Sequence, residues 1–191
     1  MTIHYIARGK FFNSIVKIEE VKPNNQLLVS INYGLRTLIV PKEFLVTDDV
    51  HEEYRKESYN ICRYLAKLCY EKFNIHSLHG LSLKSLFLLI NYEYYKVYNK
   101  QLFKDEFLYE KYKLGRYNKY FSEAVRMSQG YGHIVETFDQ DNHIPLNLSD
   151  EQKTFISNVL EDLITRFPNL KWDALYDFPW GNSRCLYKRL L

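Results

Sequence analysis

Residues 81–117 read LSLKSLFLLINYEYYKVYNKQLFKDEFLYEKYKLGRY. Two periods follow one another in this stretch. From Leu81 or Ser82, apolar residues recur at Leu83, Leu86, Phe87, Ile90, Tyr94 and Val97, the spacing of one helical face. That helix is expected to stop near Asn99. From Lys104 to Gly115 aromatic and charged residues nearly alternate, which predicts extended chain rather than helix. Downstream, Tyr117–Ser128 reads as a short helix ended by Gln129-Gly130-Tyr131-Gly132. His133–Phe138 reads as a strand able to pair with Phe107–Tyr112. After a loop from Asp139 to Pro145, Ser149 and Gln152 form a capping box, in which each side chain satisfies an orphan backbone donor. Phe155, Ile156, Val159, Leu160, Leu163, Ile164 and Phe167 then mark a core stripe, and Pro168 stops it. Asn169 is expected to cap a last short helix carrying Trp172 and Leu175.

Upstream, Asp48 and Asp49 open a helix, because acidic residues in a first turn favour the positive end of the helix dipole. Tyr54, Ile61, Cys62, Leu65, Leu68 and Cys69 hold the 3.6 spacing to about Phe73. Residues before it read as β. Ser14–Val21 is one run, and Lys22-Pro23-Asn24-Asn25 is a turn, since Pro presets φ and Asn tolerates the left-handed region. In the second run Leu27, Val29, Ile31 and Tyr33 fall on one face; Gly34 breaks it, Leu35–Val40 is a third run, and Pro41 stops that. Three or four short strands with tight turns suggest a small antiparallel SH3-like barrel or, alternatively, a two- to four-stranded sheet laid on the helical body. The reading is an α+β chain: a small β module over 1–49 and a mainly helical domain over 50–191.

The 191 residues are 46% hydrophobic and 26% charged, which is globular rather than disordered. Seventeen Tyr and twelve Phe are an unusual load, accounted for first by AT-rich codon usage. A net charge of +3 does not by itself imply nucleic acid. The charge is unevenly spread: Lys96–Arg126 holds eight basic and four acidic residues (net +4), and Met127–Ser183 three basic and nine acidic (net −6). Such an asymmetry can steer a charged partner. Cys62, Cys69 and Cys185 make no CxxC pair and no zinc spacing. They read as buried thiols in a reducing compartment. MTIHYIARGK lacks the basic and apolar regions of a signal peptide, and Leu86–Ile90 is far too short to span a bilayer. A cytoplasmic protein without membrane partners is expected.

No catalytic group assembles. His76 and His79 lack the further ligands zinc requires. Asp139-Gln140-Asp141-Asn142-His143 starts like a calcium loop, but Ile144 and Asp150 stand where Gly and Glu are needed. Gln129–Gly132 has no Lys-Ser/Thr of a phosphate loop, and there is no Gly-x-Ser-x-Gly elbow. The chain reads as non-enzymatic, with no metal and no cofactor.

Several pieces, in order, resemble the Panacea family (SocA-like antitoxins, phage-associated GepA-like proteins). Leu86, Phe87, Leu88, Leu89, Asn91 and Tyr92 match its apolar helix, and Asn99-Lys100-Gln101-Leu102-Phe103 its "GKPLF" turn. Lys111-Tyr112-Lys113-Leu114-Gly115 match its extended stretch. Leu148-Ser149-Asp150-Glu151-Gln152 match its helix start, and Pro179-Trp180 its ending. Arg116 stands where the family has Pro, and Tyr109 where it has Trp. The resemblance runs from Glu57 to about Tyr187. It implies a non-enzymatic antitoxin or adaptor from a phage or mobile element. Such a protein neutralises a cognate toxin or host defence protein by direct contact, in one type handing the toxin to a protease. Accessory N-terminal modules like residues 1–49 are common in that family.

A binder needs aromatic and Arg anchors in a desolvated patch. The candidate partner-binding residues are Tyr109, Tyr112, Arg116 and Tyr117, with Trp180 from the ending. The alternative is a nucleic-acid-binding regulatory protein of a phage or plasmid. Lys111, Lys113, Arg116, Lys119 and Arg126 interleave with Tyr109, Tyr112, Tyr117, Tyr120 and Phe121, a mixture able to neutralise phosphates and stack bases.

Overall fold

A computed structural model describes residues 2–8, 10–100, 102–103, 109–112, 115–131, 134–136 and 146–167. The fold is α+β. Its residues form two compact units, Met1–Lys56 and Glu57–Leu191.

The first unit holds strands β1 (His4–Ile6), β2 (Ile15–Lys22), β3 (Gln26–Ile31), β4 (Arg36–Pro41) and β5 (Leu45–Thr47). They form one antiparallel sheet in the order β4-β3-β2-β1-β5. A single 3-10 turn, Lys42–Phe44, separates β4 from β5. The small β module is thus a five-stranded antiparallel sheet with a one-turn helix after Val40-Pro41. Register explains its core: Val16 opposes Ile31, and Leu27 opposes Val40. These four are buried with Ile6 and Val29, and Phe11, Leu38 and Leu45 pack against them. Asn24 and Asn25 take φ 58° in the β2–β3 turn, as the sequence predicts, and Lys42 N–H donates to Asn25 O at 2.9 Å. Tyr33 departs from expectation. Together with Asn32 and Gly34 it makes a left-handed turn (φ 51°, 57° and 88° along the three), so it leaves the β3 face and is fully exposed. The strand period ends at Ile31 because the chain reverses there.

Helix α1 (Asp48–Phe73) begins in this unit, with Asp48 and Asp49 in its first turn. His51 in that turn is 0% exposed. Its ring stacks on Tyr5 at 4.1 Å and 5°, and Nε2 lies 2.9 Å from Asn13 Oδ1. Burial, helped by the Arg55 cation, holds the imidazole below its usual pKa, while Glu52 and Asp48 oppose that shift. A depressed pKa means the unfolded chain binds the proton first, so the contribution of neutral His51 is present above about pH 6.5 and is lost as pH falls through the folded value. Amide exchange at Val29 and Ile31 should therefore speed up between neutral pH and pH 5 beyond the intrinsic pH effect. His51→Phe should flatten that dependence; an unchanged slope would contradict the assignment.

In the second unit the remaining turns of α1 join β6 (Ser77–His79), α2 (Gly80–Tyr98), β7 (Tyr109–Tyr112), β8 (Gly115–Asn118), α3 (Lys119–Ser128), β9 (Ile134–Glu136) and α4 (Asp150–Arg166). The core positions expected on α1 are all buried, Ile61, Leu65 and Cys69 nearly completely. Burial pushes the Cys62 and Cys69 thiols up to about 12, so both stay neutral packing groups. α2 packs against α3, α4 and β6. Its buried stripe is Leu83, Leu86, Phe87, Ile90 and Tyr94; Val97, expected inside, is 64% exposed, because the stripe ends one turn earlier. Asn99 stops α2 in the left-handed conformation. α4 opens with the predicted capping box, Ser149 Oγ accepting from Gln152 N–H at 3.2 Å and Gln152 Oε1 from Ser149 N–H at 2.9 Å. Ile156, Leu160 and Leu163 are buried on its inner face. Ser149→Ala should cost about 1 kcal/mol, read from the urea midpoint.

Strand pairing corrects the sequence reading. β9 pairs with β6, Leu78 opposite Val135, and β7 pairs with β8. Residues 107–112 thus do not take the 133–138 segment as their partner within the described residues. The short helix also begins at Lys119 rather than Tyr117, since Gly115–Asn118 is the return strand. The last short helix expected around Trp172 and Leu175 lies outside the described residues.

Candidate functional site

The candidate residues converge on one small element. Tyr109, Tyr112, Arg116 and Tyr117 all lie on the antiparallel β7–β8 hairpin, and Trp180 lies outside the described residues. The register pairs Tyr109 with Asn118, Glu110 with Tyr117, Lys111 with Arg116 and Tyr112 with Gly115. Because strand faces alternate with period two, Tyr109, Lys111, Arg116 and Asn118 share one face. Glu110, Tyr112, Gly115 and Tyr117 share the other. The four hairpin candidates therefore divide into two pairs, Tyr109 with Arg116 and Tyr112 with Tyr117. Lys111 and Asn118 belong with the first pair. Counting by twos from Tyr109 finds Lys111 in the sequence; Asn118 needs the hairpin register, which an unpaired extended segment does not disclose.

The hairpin's neighbours in sequence are firmly placed. Upstream, the turn residues Leu102 and Phe103 are 5% and 3% exposed. Leu102 N–H donates to Asn91 Oδ1 at 2.9 Å, so a buried amide on α2 holds the turn. Phe87 on α2 stacks against Phe103 at 4.9 Å and against Phe121 at 4.1 Å. Downstream, β8 runs straight into α3, whose Tyr120 and Phe121 are each 1% exposed. Those two rings are core, which removes them from the set proposed to stack bases. Of the basic residues in that set, Arg126 is exposed and Lys119 half-buried.

His76 and His79 each make a local structural contact. His79 Nδ1 accepts from Leu81 N–H at 3.2 Å and caps α2. His76 meets Tyr70 edge-on at 5.3 Å. Among the described residues no three His, Cys, Asp or Glu side chains are grouped to hold a metal, and no helix is long and apolar enough to cross a membrane.

No protein-family model, curated protein or solved structure matches this chain. The quoted Panacea-like positions can nonetheless be placed. Leu86, Phe87, Leu89, Asn91, Leu102 and Phe103 are buried, Asn99 is a left-handed cap, and Ser149 and Gln152 are the capping box.

Proposed function

We propose that this protein is a non-enzymatic antitoxin or adaptor of the Panacea kind, from a phage or mobile element, that neutralises a toxin or defence protein by direct contact. The observation that supports it most is the placement of the resembling pieces. Within the described part of one unit a helix, a turn, an extended stretch and a capped helix follow one another, the order that the resemblance implies. The first two are tied together by the Asn91–Leu102 hydrogen bond and the Phe87–Phe103 stack. Fold-making residues carry the likeness, and the hairpin between them carries the aromatic and cationic residues that suit an interface.

The reading makes the partner a protein encoded beside this chain. Tagged full-length protein co-expressed with the product of its adjacent gene should retain that product through purification. Arg116→Glu should leave the thermal melt unchanged and weaken retention. Retention equal to wild type would remove Arg116 from the interface. Failure of the wild type to retain any neighbouring product, together with salt-sensitive binding of RNA or DNA, would move the regulatory nucleic-acid reading ahead.

A further inference from the structure

Two loops leave the same end of the first unit's sheet. Ile31 opposes both Val16 and Arg36, and Tyr5 opposes Ile15, so residues 7–14 between β1 and β2 lie at the end where β3 turns into β4. One ring and two cations join the loops there. Phe11 is seated against the core. The exposed Lys10 and Arg36 lie over its ring, Nζ at 5.8 Å and Cζ at 5.4 Å from the centroid. A ring quadrupole attracts cations but carries no net charge, so it leaves both charges uncompensated. Neither side chain meets a carboxylate among the described residues, whereas Lys17 pairs with Glu19 and Lys22 with Glu20 on β2. Tyr33 precedes Arg36 in the adjoining turn, fully exposed and at φ 57°. A bulky side chain in that region is strained, and here no burial of the ring offsets the strain. Such outliers gather at ligand-binding sites.

We infer that this end of the first unit binds single-stranded nucleic acid, Lys10 and Arg36 meeting phosphates and Tyr33 stacking on a base. Exposed aromatic rings flanked by cations are what such strands bind, since every base has a π-face and every linkage a charge. An acidic protein surface would use the two cations and leave Tyr33 idle. The inference concerns the first unit and does not rest on the toxin-pair reading.

The test uses the full chain with fluorescent oligo-U and oligo-dT, and poly-L-glutamate as the rival probe, followed by anisotropy across salt concentration. K10E/R36E is compared with K22E/K56E, the same charge change at the far end of β2 and on α1. Thermal melts check that each variant is folded; K10Q/R36Q serves if K10E/R36E is not. Wild type should bind the oligonucleotides more tightly than poly-L-glutamate, with affinity falling steeply as salt rises. K10E/R36E should weaken binding by about tenfold or more and flatten the salt dependence, and K22E/K56E should change little. Asn tolerates the left-handed region, so Tyr33→Asn should melt at the same or a higher temperature. It should nonetheless bind about fivefold or more weakly, with the salt dependence kept. Tighter binding of oligo-U assigns RNA, and tighter binding of oligo-dT assigns DNA; equal binding assigns the phosphate and base chemistry common to both. No binding by wild type, equal weakening in the two double variants, full affinity in Tyr33→Asn, or poly-L-glutamate bound as tightly through the same cations would each overturn the inference. The adjacent gene product plays no part in this readout, so failure of either reading leaves the other standing.

Discussion

Phe87→Ala is expected to cost about 3–5 kcal/mol of stability. Phe87 is 1% exposed, and its ring lies between Phe103 (4.9 Å, 10°) and Phe121 (4.1 Å, 15°). One side chain of α2 therefore supports both the turn before the hairpin and the helix after it. Truncation removes its buried area, opens a cavity facing two rings, and forfeits two aromatic contacts worth about 0.5–1.5 kcal/mol each beyond area. Domains of this kind have only about 5–15 kcal/mol in total, so the variant should show a sharply lowered urea midpoint. Phe87→Leu keeps most of the volume and should lose clearly less. A cost under about 1 kcal/mol for Phe87→Ala would mean that the three rings do not form a common stack.

The second large effect is expected at Asn91. Its Oδ1 is the acceptor for Leu102 N–H at 2.9 Å, and both residues are 5% exposed. Asn91→Ala leaves that donor buried without this acceptor, a loss of about 1–3 kcal/mol. Exchange of the Leu102 amide should accelerate well before the global transition, because the turn detaches locally. Phe87 and Asn91 stand one turn apart on α2 and hold adjacent residues of one turn, Phe103 and Leu102. Residues coupled through one short segment in this way are not energetically independent. The double variant should thus be less destabilised than the two single losses combined. Full additivity would show that the stack and the hydrogen bond secure the turn independently.

What could be read from the sequence follows a physical pattern. α1, α2 and α4 were legible because each repeats its apolar spacing over several turns, and Asp48-Asp49, Asn99 and the Ser149–Gln152 box mark ends by local chemistry alone. The N-terminal meander was legible where strands are six residues or longer, as in β2, β3 and β4. β1, β5, β6 and β9 are three residues each, too short for a period to declare itself, so their pairing comes from tertiary context. That is why Ile134–Glu136 pairs with Ser77–His79 and not with the alternating segment upstream, and why Tyr33 continues the strand spacing although the chain has already turned. At the candidate site, alternation disclosed the extended segment from Tyr109 to Tyr112. It could not disclose that Gly115–Asn118 folds back onto it, because Tyr117 and the apolar residues of α3 also satisfy a helical spacing. The grouping of Tyr109 and Arg116 with Lys111 and Asn118 emerges only from the paired register.

The central claim is that this chain neutralises a harmful neighbour by touching it, and growth of the host tests it most directly. Cells expressing the adjacent gene alone should stop growing. Cells expressing it with wild-type protein should grow normally, and cells expressing it with folded Arg116→Glu should grow less well. An adjacent gene that is harmless alone, or equally toxic with and without this protein, would contradict the claim.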